Sequence, residues 1–113
     1  MEEYLAKMKE YLSMESELPY EDFNQYFQDY TGYLSNSYEQ FDQDACVKAK
    51  FVAAILHANS EDRSKRKGPL AKKYRKMSEK SKLWTDALNY RLLKTGMSQQ
   101  EIDQANKAFS DSI

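Results

Sequence analysis

Hydrophobic side chains recur along this chain at intervals of three and four residues, the spacing that places them on one face of a helix. The first such stretch runs from Glu2 to about Met14 and predicts an amphipathic helix. The motif ESELP follows it, and Pro19 marks the start of the next element, because proline is well suited to a first helical turn. The N-terminal part of the chain therefore begins as two successive helices.

The second helix carries an apolar stripe that runs from Phe23 to Leu34. Its C-terminal end is predicted between Thr31 and Asn36, since Gly32 lies there and the turn-forming cluster SNS (35–37) follows. Asp42 is a suitable N-cap residue and predicts the start of a third helix.

The third helix is apolar on nearly all sides, as the sequence ACVKAKFVAAILHA (45–58) shows. A helix of this kind usually contacts neighbours on several sides, so we expect it to be central. The polar segment NSEDRSKRK either continues this helix or forms a separate turn capped by Ser60. Gly68 and Pro69 end it in either case.

The fourth helix is predicted from Pro69 to Thr95, with an apolar stripe from Leu70 to Leu92 and Gly96 as its C-terminal stop. Ser98 opens a fifth helix with a capping-box motif, SQQE. No segment alternates between apolar and polar residues over the length of a strand. The chain is therefore predicted to be all-α, a single domain (1–113) formed by a bundle of four or five helices.

The back of the fourth helix changes character near residue 83. Its first three turns carry lysine and arginine opposite the apolar stripe, whereas Leu83, Ala87 and Tyr90 lie on the same back face further along. This pattern predicts that the fifth helix, the first two helices or a second copy of the chain covers that face, so a homodimer fits the sequence. We accordingly expect Leu83→Asp to cost several kcal/mol of stability.

Composition indicates a folded domain, with 41% apolar and 31% charged residues. The opening segment is acidic and does not resemble a secretory signal, and the longest apolar run, at 51–56, is too short to span a bilayer. Cys46 is the single cysteine, so no intramolecular disulfide can form. These features predict a soluble, cytoplasmic protein without a membrane partner.

The net charge of −1 conceals a strong asymmetry along the chain. Residues 1–44 hold eleven acidic residues against two lysines, whereas residues 45–95 hold fourteen basic residues against four acidic ones. The first segment therefore carries a charge of −9 and the second +10. Such asymmetry indicates either a charged surface with a function or two segments that attract each other.

No combination of residues in the sequence indicates catalysis or metal binding. Cys46 and His57 both lie in the most apolar helix and are too far apart to act together. His57 with Glu61 supplies two metal ligands where three or four are needed. Asp42 and Asp44 begin like a calcium loop, but Cys46 stands where the loop requires an oxygen ligand. The sequence predicts a protein that is not an enzyme and has no metal or small-molecule cofactor.

The first functional hypothesis is that a basic helix face contacts nucleic acid phosphates. Ten of the twenty-one residues 62–82 are lysine or arginine. Lysine predominates over arginine in the fourth helix, which favours backbone contact over base recognition. The predicted nucleic-acid-binding residues are Arg63, Lys65, Arg66, Lys67, Lys72, Lys73, Arg75, Lys76 and Lys80.

The alternative is a protein-binding or inhibitory module that uses the acidic, tyrosine-rich N-terminal helices. Six of the nine tyrosines lie between residues 4 and 33, and tyrosine is enriched at interfaces. These rings could equally build the core of a leucine-poor N-terminal half. In size, helix density and lack of catalytic residues, the chain resembles the small accessory proteins of bacterial phages and mobile elements, which also implies a binding role.

Overall fold

The computed structural model describes residues 1–112, and within this range the chain forms five α-helices, one short 3-10 helix and no strand. The all-α bundle predicted from the sequence is confirmed. In chain order, the elements are α1 (Glu2–Leu12), α2 (Tyr20–Ser37), a 3-10 helix (Tyr38–Gln40), α3 (Gln43–Ser64), α4 (Ala71–Lys94) and α5 (Gln99–Asp111).

Three helix ends have the capping interactions that the sequence predicts. The side chain of Asp42 accepts a hydrogen bond from the backbone N–H of Ala45 at 2.8 Å and caps α3. Ser98 and Glu101 form both hydrogen bonds of the capping box at the start of α5. Gly96 adopts a φ of 101° after the end of α4, a conformation that favours glycine.

The end of α2 differs from the prediction, and the end of α3 follows one of the two predicted alternatives. Helix α2 continues through Gly32 to Ser37, past the predicted boundary, and only then tightens into the 3-10 helix. The polar segment after residue 58 continues α3 as far as Ser64. Ser60 is not a cap, because it is buried and its hydroxyl donates to the carbonyl oxygen of Leu56 at 2.6 Å. In α2 the buried apolar face continues past the local turn-forming residues to Leu34, whereas in α3 the buried residues beyond position 58 are Ser60 and Arg63.

Helix α3 is central, as predicted, and its contact with α4 is the most extensive in the bundle. The two helices run antiparallel, because Cys46 contacts the carbonyl of Leu88 while His57 contacts the carbonyl of Ser78. Small buried side chains on both helices, including Ala53 on α3, permit a close approach of the two backbones.

Tyrosine rings fill the space between α1 and α2. Tyr4 contacts Tyr26, Tyr30 and Tyr33, with ring centroids 4.9–6.0 Å apart. The hydroxyl of Tyr26 donates to the carbonyl of Tyr4, and the hydroxyl of buried Tyr30 donates to the carbonyl of Ala49. Much of the N-terminal tyrosine cluster therefore serves as core, with its hydroxyl groups satisfied by backbone acceptors.

The back face of the second half of α4 is not covered by the rest of the chain. Leu83 is 70% exposed and Tyr90 is 61% exposed, and Ala87 between them is exposed as well. The prediction that α5 or the first two helices cover this face is wrong, so the burial on which the expected stability cost of Leu83→Asp depends is absent within one copy. The buried stripe of α4 packs mainly against α3, and its Tyr74 also contacts Tyr20 and Phe23 of α2. Within residues 1–112, none of the helices is both long and apolar enough to cross a membrane.

Candidate functional site

The N-terminal half of α4 presents an uncovered row of cationic side chains. All of them are exposed, and none has a carboxylate partner within 4.0 Å among residues 1–112. Tyr74 and Met77 on the opposite side of the same turns are buried. The apolar side of the helix therefore faces the core and the basic side faces solvent. We call this row the α4 basic face; it consists of Lys72, Lys73, Arg75, Lys76 and Lys80.

Arg63 does not belong to an exposed strip, contrary to the prediction. Its side chain is only 7% exposed, and its guanidinium lies 4.4 Å from the ring centroid of Phe23 and 5.5 Å from that of Tyr74. It donates hydrogen bonds to the carbonyl oxygen of Leu18 at 3.0 Å and to the hydroxyl of Tyr74 at 3.2 Å. Arg63 therefore joins the α1–α2 loop to α3 and α4.

The next two basic residues are exposed but are paired with carboxylates. Arg66 lies 2.7 Å from Glu17 and 3.2 Å from Asp62, and Lys65 lies 4.0 Å from Glu61. The hydrogen bond from Arg66, assisted by the charge of Arg63, holds the pKa of the Glu17 carboxyl below its usual value although burial opposes this shift. The segment before Gly68 is thus largely neutralised, and Lys67 is the one predicted site residue there without a carboxylate partner in the described part of the chain.

A shallow groove of about 230 Å³ runs between α2 and the α4 basic face. The ammonium group of Lys73 lies 5.4 Å from the ring centroid of Tyr20, and that of Lys80 lies 6.0 Å from the ring centroid of Phe27. The groove is lined by Tyr20, Asn24, Phe27, Gln28, Lys73, Lys76, Met77 and Lys80. It offers cations, amide groups and aromatic rings together.

No carboxylate lines this groove among the residues that the structure describes. The acidic residues Asp22 and Asp29 lie on the other flank of α2, which faces α1. Together with Glu3 they line a separate groove between α1 and α2. The acidic N-terminal segment therefore meets the basic segment mainly through Glu17 and, at the other end of the bundle, through Glu2 with Lys48. It leaves the α4 basic face uncovered.

Cys46 and His57 contact backbone carbonyl groups of α4 and contribute to the packing of α3 on α4. Burial raises the pKa of the Cys46 thiol to about 11, so it stays protonated at neutral pH. His57 lies 3.0 Å from the carbonyl oxygen of Ser78 and 3.3 Å from the carboxylate of Glu61. Within residues 1–112, no group of three histidine, cysteine or acidic side chains is arranged to hold a metal ion.

Sequence reasoning missed the α2 side of the groove. Tyr20, Asn24 and Gln28 recur at intervals of four residues, which places them on one flank of α2 beside its apolar stripe. That spacing was visible in the sequence, but nothing in the sequence indicated that this flank would face the lysines of α4. The pairing of the two helix flanks is a product of the tertiary fold.

Comparison with known proteins gives no further guide to function. The chain matches no protein family, and neither a curated protein nor a solved structure shows significant similarity to it.

Proposed function

We propose that the protein is a non-enzymatic nucleic-acid-binding protein that contacts phosphates through the α4 basic face and the adjoining groove. The observation that supports this most is that five exposed cations within three helical turns have no carboxylate partner among the described residues, whereas Arg63, Lys65 and Arg66 just before them do. A concentration of unneutralised lysine on one surface is the electrostatic footprint of phosphate binding.

The spacing of the lysines suits a phosphate backbone. Lys72, Lys76 and Lys80 follow one another every four residues, a rise of about 6 Å along a helix. Phosphates on one strand of a duplex recur about every 3.4 Å along its axis. If α4 lay parallel to the duplex axis, one of these lysines would therefore stand at about every second phosphate level along that axis.

The side chains of this site favour contact with the backbone over recognition of sequence. Four of the five cations are lysines, which bind phosphate as point charges rather than as a planar fork that reads base edges. Tyr20 and Phe27 in the groove are partly or largely engaged with neighbours, so they add apolar surface beside the cations. We therefore expect binding that depends strongly on salt and weakly on sequence.

The alternative, a protein-binding module built on the acidic helices, has less support. Tyr26 and Tyr30 are buried and the remaining rings of the N-terminal cluster pack against each other or against Tyr74. Fewer tyrosines are thereby left for a partner than the sequence suggests. The groove with Glu3, Asp22 and Asp29 remains the surface that a basic protein would use.

The first experiment compares two variants that lose the same charge. Lys73, Lys76 and Lys80 are changed to Gln in one triple variant, and Lys7, Lys82 and Lys107 are changed to Gln in the control. The control lysines are exposed and each is paired with a carboxylate. Fluorescence anisotropy with labelled duplex DNA, single-stranded DNA and RNA should show affinity reduced at least about tenfold in the first variant and little changed in the control.

Two outcomes would contradict the proposal. One is equal binding by the two triple variants, which would show that the location of the lysines is irrelevant. The other is retention on heparin without binding to any of the three nucleic acids, which would show that the α4 basic face is a general anion-binding surface.

A further inference from the structure

The C-terminal half of α4 carries an exposed apolar surface that is distinct from the groove. Leu83, Tyr90 and Leu93 are 70%, 61% and 42% exposed, and Ala87 lies exposed between the first two. We call these four residues the α4 apolar patch. Leu83, Ala87 and Tyr90 are four and three residues apart, so they lie one above another along the helix. A contiguous exposed apolar surface of this kind usually marks an interaction site.

Two charges of opposite sign flank the α4 apolar patch along the helix. Glu79 lies one turn before Leu83, and Lys94 lies one turn after Tyr90. Within the described residues neither has an ion-pair partner, and the ammonium group of Lys94 lies 5.3 Å from the ring centroid of Tyr90. Glu79 is also the one acidic residue between positions 71 and 81.

We propose that a second copy of this chain covers the α4 apolar patch, with the two α4 helices antiparallel about a two-fold axis. An axis that passes between Asp86 and Ala87 sets Leu83 opposite Tyr90 of the second copy, since these positions are equally distant from it. The same axis sets Glu79 opposite Lys94 of the second copy. Each contact occurs twice, as in any two-fold interface.

The charges select this arrangement over a parallel one. A parallel pair would place Glu79 against Glu79 and Lys94 against Lys94, and like charges in contact are unfavourable. Ala87 at the centre is small and allows the helices to approach within the usual 8–10 Å between helix axes. The antiparallel arrangement thus pairs apolar with apolar at Leu83 and Tyr90 and acidic with basic at Glu79 and Lys94.

The predicted association is of modest strength. The stretch from Glu79 to Lys94 is about 22 Å long, and a single helix pair of this length buries less than the roughly 1,600 Å² of a standard interface. We expect a dissociation constant in the micromolar range or weaker. None of the residues paired in this arrangement lines the groove, so this inference does not depend on nucleic-acid binding.

Sedimentation equilibrium of the full chain without nucleic acid tests whether the α4 apolar patch mediates dimerisation. The wild-type protein should show a concentration-dependent monomer–dimer equilibrium, and Leu83→Asp should weaken it at least about tenfold because a carboxylate would be buried. Leu12→Asp, at a leucine on α1 that is 37% exposed and lies outside the α4 apolar patch, should leave the dissociation constant unchanged. Circular dichroism establishes that both variants are folded. A wild-type chain that remains monomeric, or a dimer that tolerates Leu83→Asp, would overturn the proposal.

A charge exchange tests the antiparallel register. Glu79→Lys alone and Lys94→Glu alone should each dimerise about tenfold more weakly than wild type, because two attractive contacts become repulsive. A mixture of the two variants should form a heterodimer with affinity close to that of wild type, since both contacts then join opposite charges, one of them as in the wild type and the other with its charges exchanged. A mixture that associates no better than its components would rule out this register.

Discussion

Arg63 shows at the level of one residue why counting charges does not locate a binding surface. In the sequence it belongs to the same basic run as Lys65, Arg66 and Lys67. In the structure its guanidinium is buried beside Phe23 and Tyr74 and satisfied by hydrogen bonds. A residue in the last turn of α3 can face inward or outward, and only the position of the neighbouring helices decides which.

Arg63→Ala should lower the free energy of unfolding by about 2–3 kcal/mol, because it removes buried packing and leaves the Leu18 carbonyl without its donor. Lys65→Ala, at an exposed side chain, should change the free energy of unfolding by no more than about 0.5 kcal/mol. Urea denaturation of both variants measures the difference. Equal stabilities would mean that Arg63 is not a structural residue.

The buried tyrosines should make the stability of the protein fall with pH in the alkaline range. Burial, with a smaller contribution from neighbouring tyrosines, raises the pKa of Tyr26 and of Tyr30 above the usual value near 10. Below pH 10 both hydroxyls are protonated in the folded and unfolded states, so stability is unaffected. Above pH 10 the unfolded state releases these protons and the folded state does not, so stability falls as pH rises.

Each of the two tyrosines should therefore cost about 1.4 kcal/mol of stability for every pH unit above 10. Urea denaturation between pH 8 and pH 11 measures the slope. The double variant Tyr26→Phe and Tyr30→Phe starts from a lower stability, because two hydrogen bonds are lost, but its slope in this range should be much shallower. An unchanged slope would show that other groups cause the alkaline unfolding.

At the level of helices, α4 differs between its buried and its exposed side. Its burial follows one stripe along the whole length, whereas its exposed back changes from basic to apolar near residue 83. The sequence predicts the stripe correctly because its spacing of three and four residues is unambiguous. It does not predict that the apolar part of the back is left uncovered, since apolar residues on two sides of a helix are normally a sign of burial on both.

Leu83→Ala and Leu88→Ala form a matched pair on opposite sides of α4. Leu88 is fully buried and Leu83 is 70% exposed. At a protein concentration low enough for the monomer to predominate, Leu88→Ala should cost about 2–5 kcal/mol and Leu83→Ala no more than about 0.5 kcal/mol. Thermal unfolding checks both values, and a large loss at Leu83 would mean that this face is covered within a single copy.

Helix starts were predicted better than helix ends. Asp42 and Ser98 cap their helices through their own side chains, so the signal is local and readable. The end of α2 is set instead by where its buried face stops, since Leu34 is fully buried beyond the point where Gly32 suggested a turn. Tertiary contacts of this kind are not encoded in any single residue.

At the level of the whole molecule, the opposite charges of the two segments are only partly brought together. The bundle measures 43 × 25 × 23 Å, and α4 with its 24 residues spans most of the longest dimension. Glu17 neutralises part of the basic run before Gly68, while Asp22 and Asp29 lie on the far flank of α2. The sequence revealed the asymmetry of charge, and the fold determines that the α4 basic face remains unneutralised.

The salt dependence of nucleic-acid binding tests the central claim most directly. If the five cations of the α4 basic face neutralise phosphates of duplex DNA, the logarithm of the binding constant should fall with the logarithm of salt concentration with a slope of about −4 to −5. The Gln variant at Lys73, Lys76 and Lys80 should reduce that slope to about −2, and the variant at Lys7, Lys82 and Lys107 should retain the wild-type slope. A wild-type slope near zero, or the same slope in all three proteins, would contradict the account.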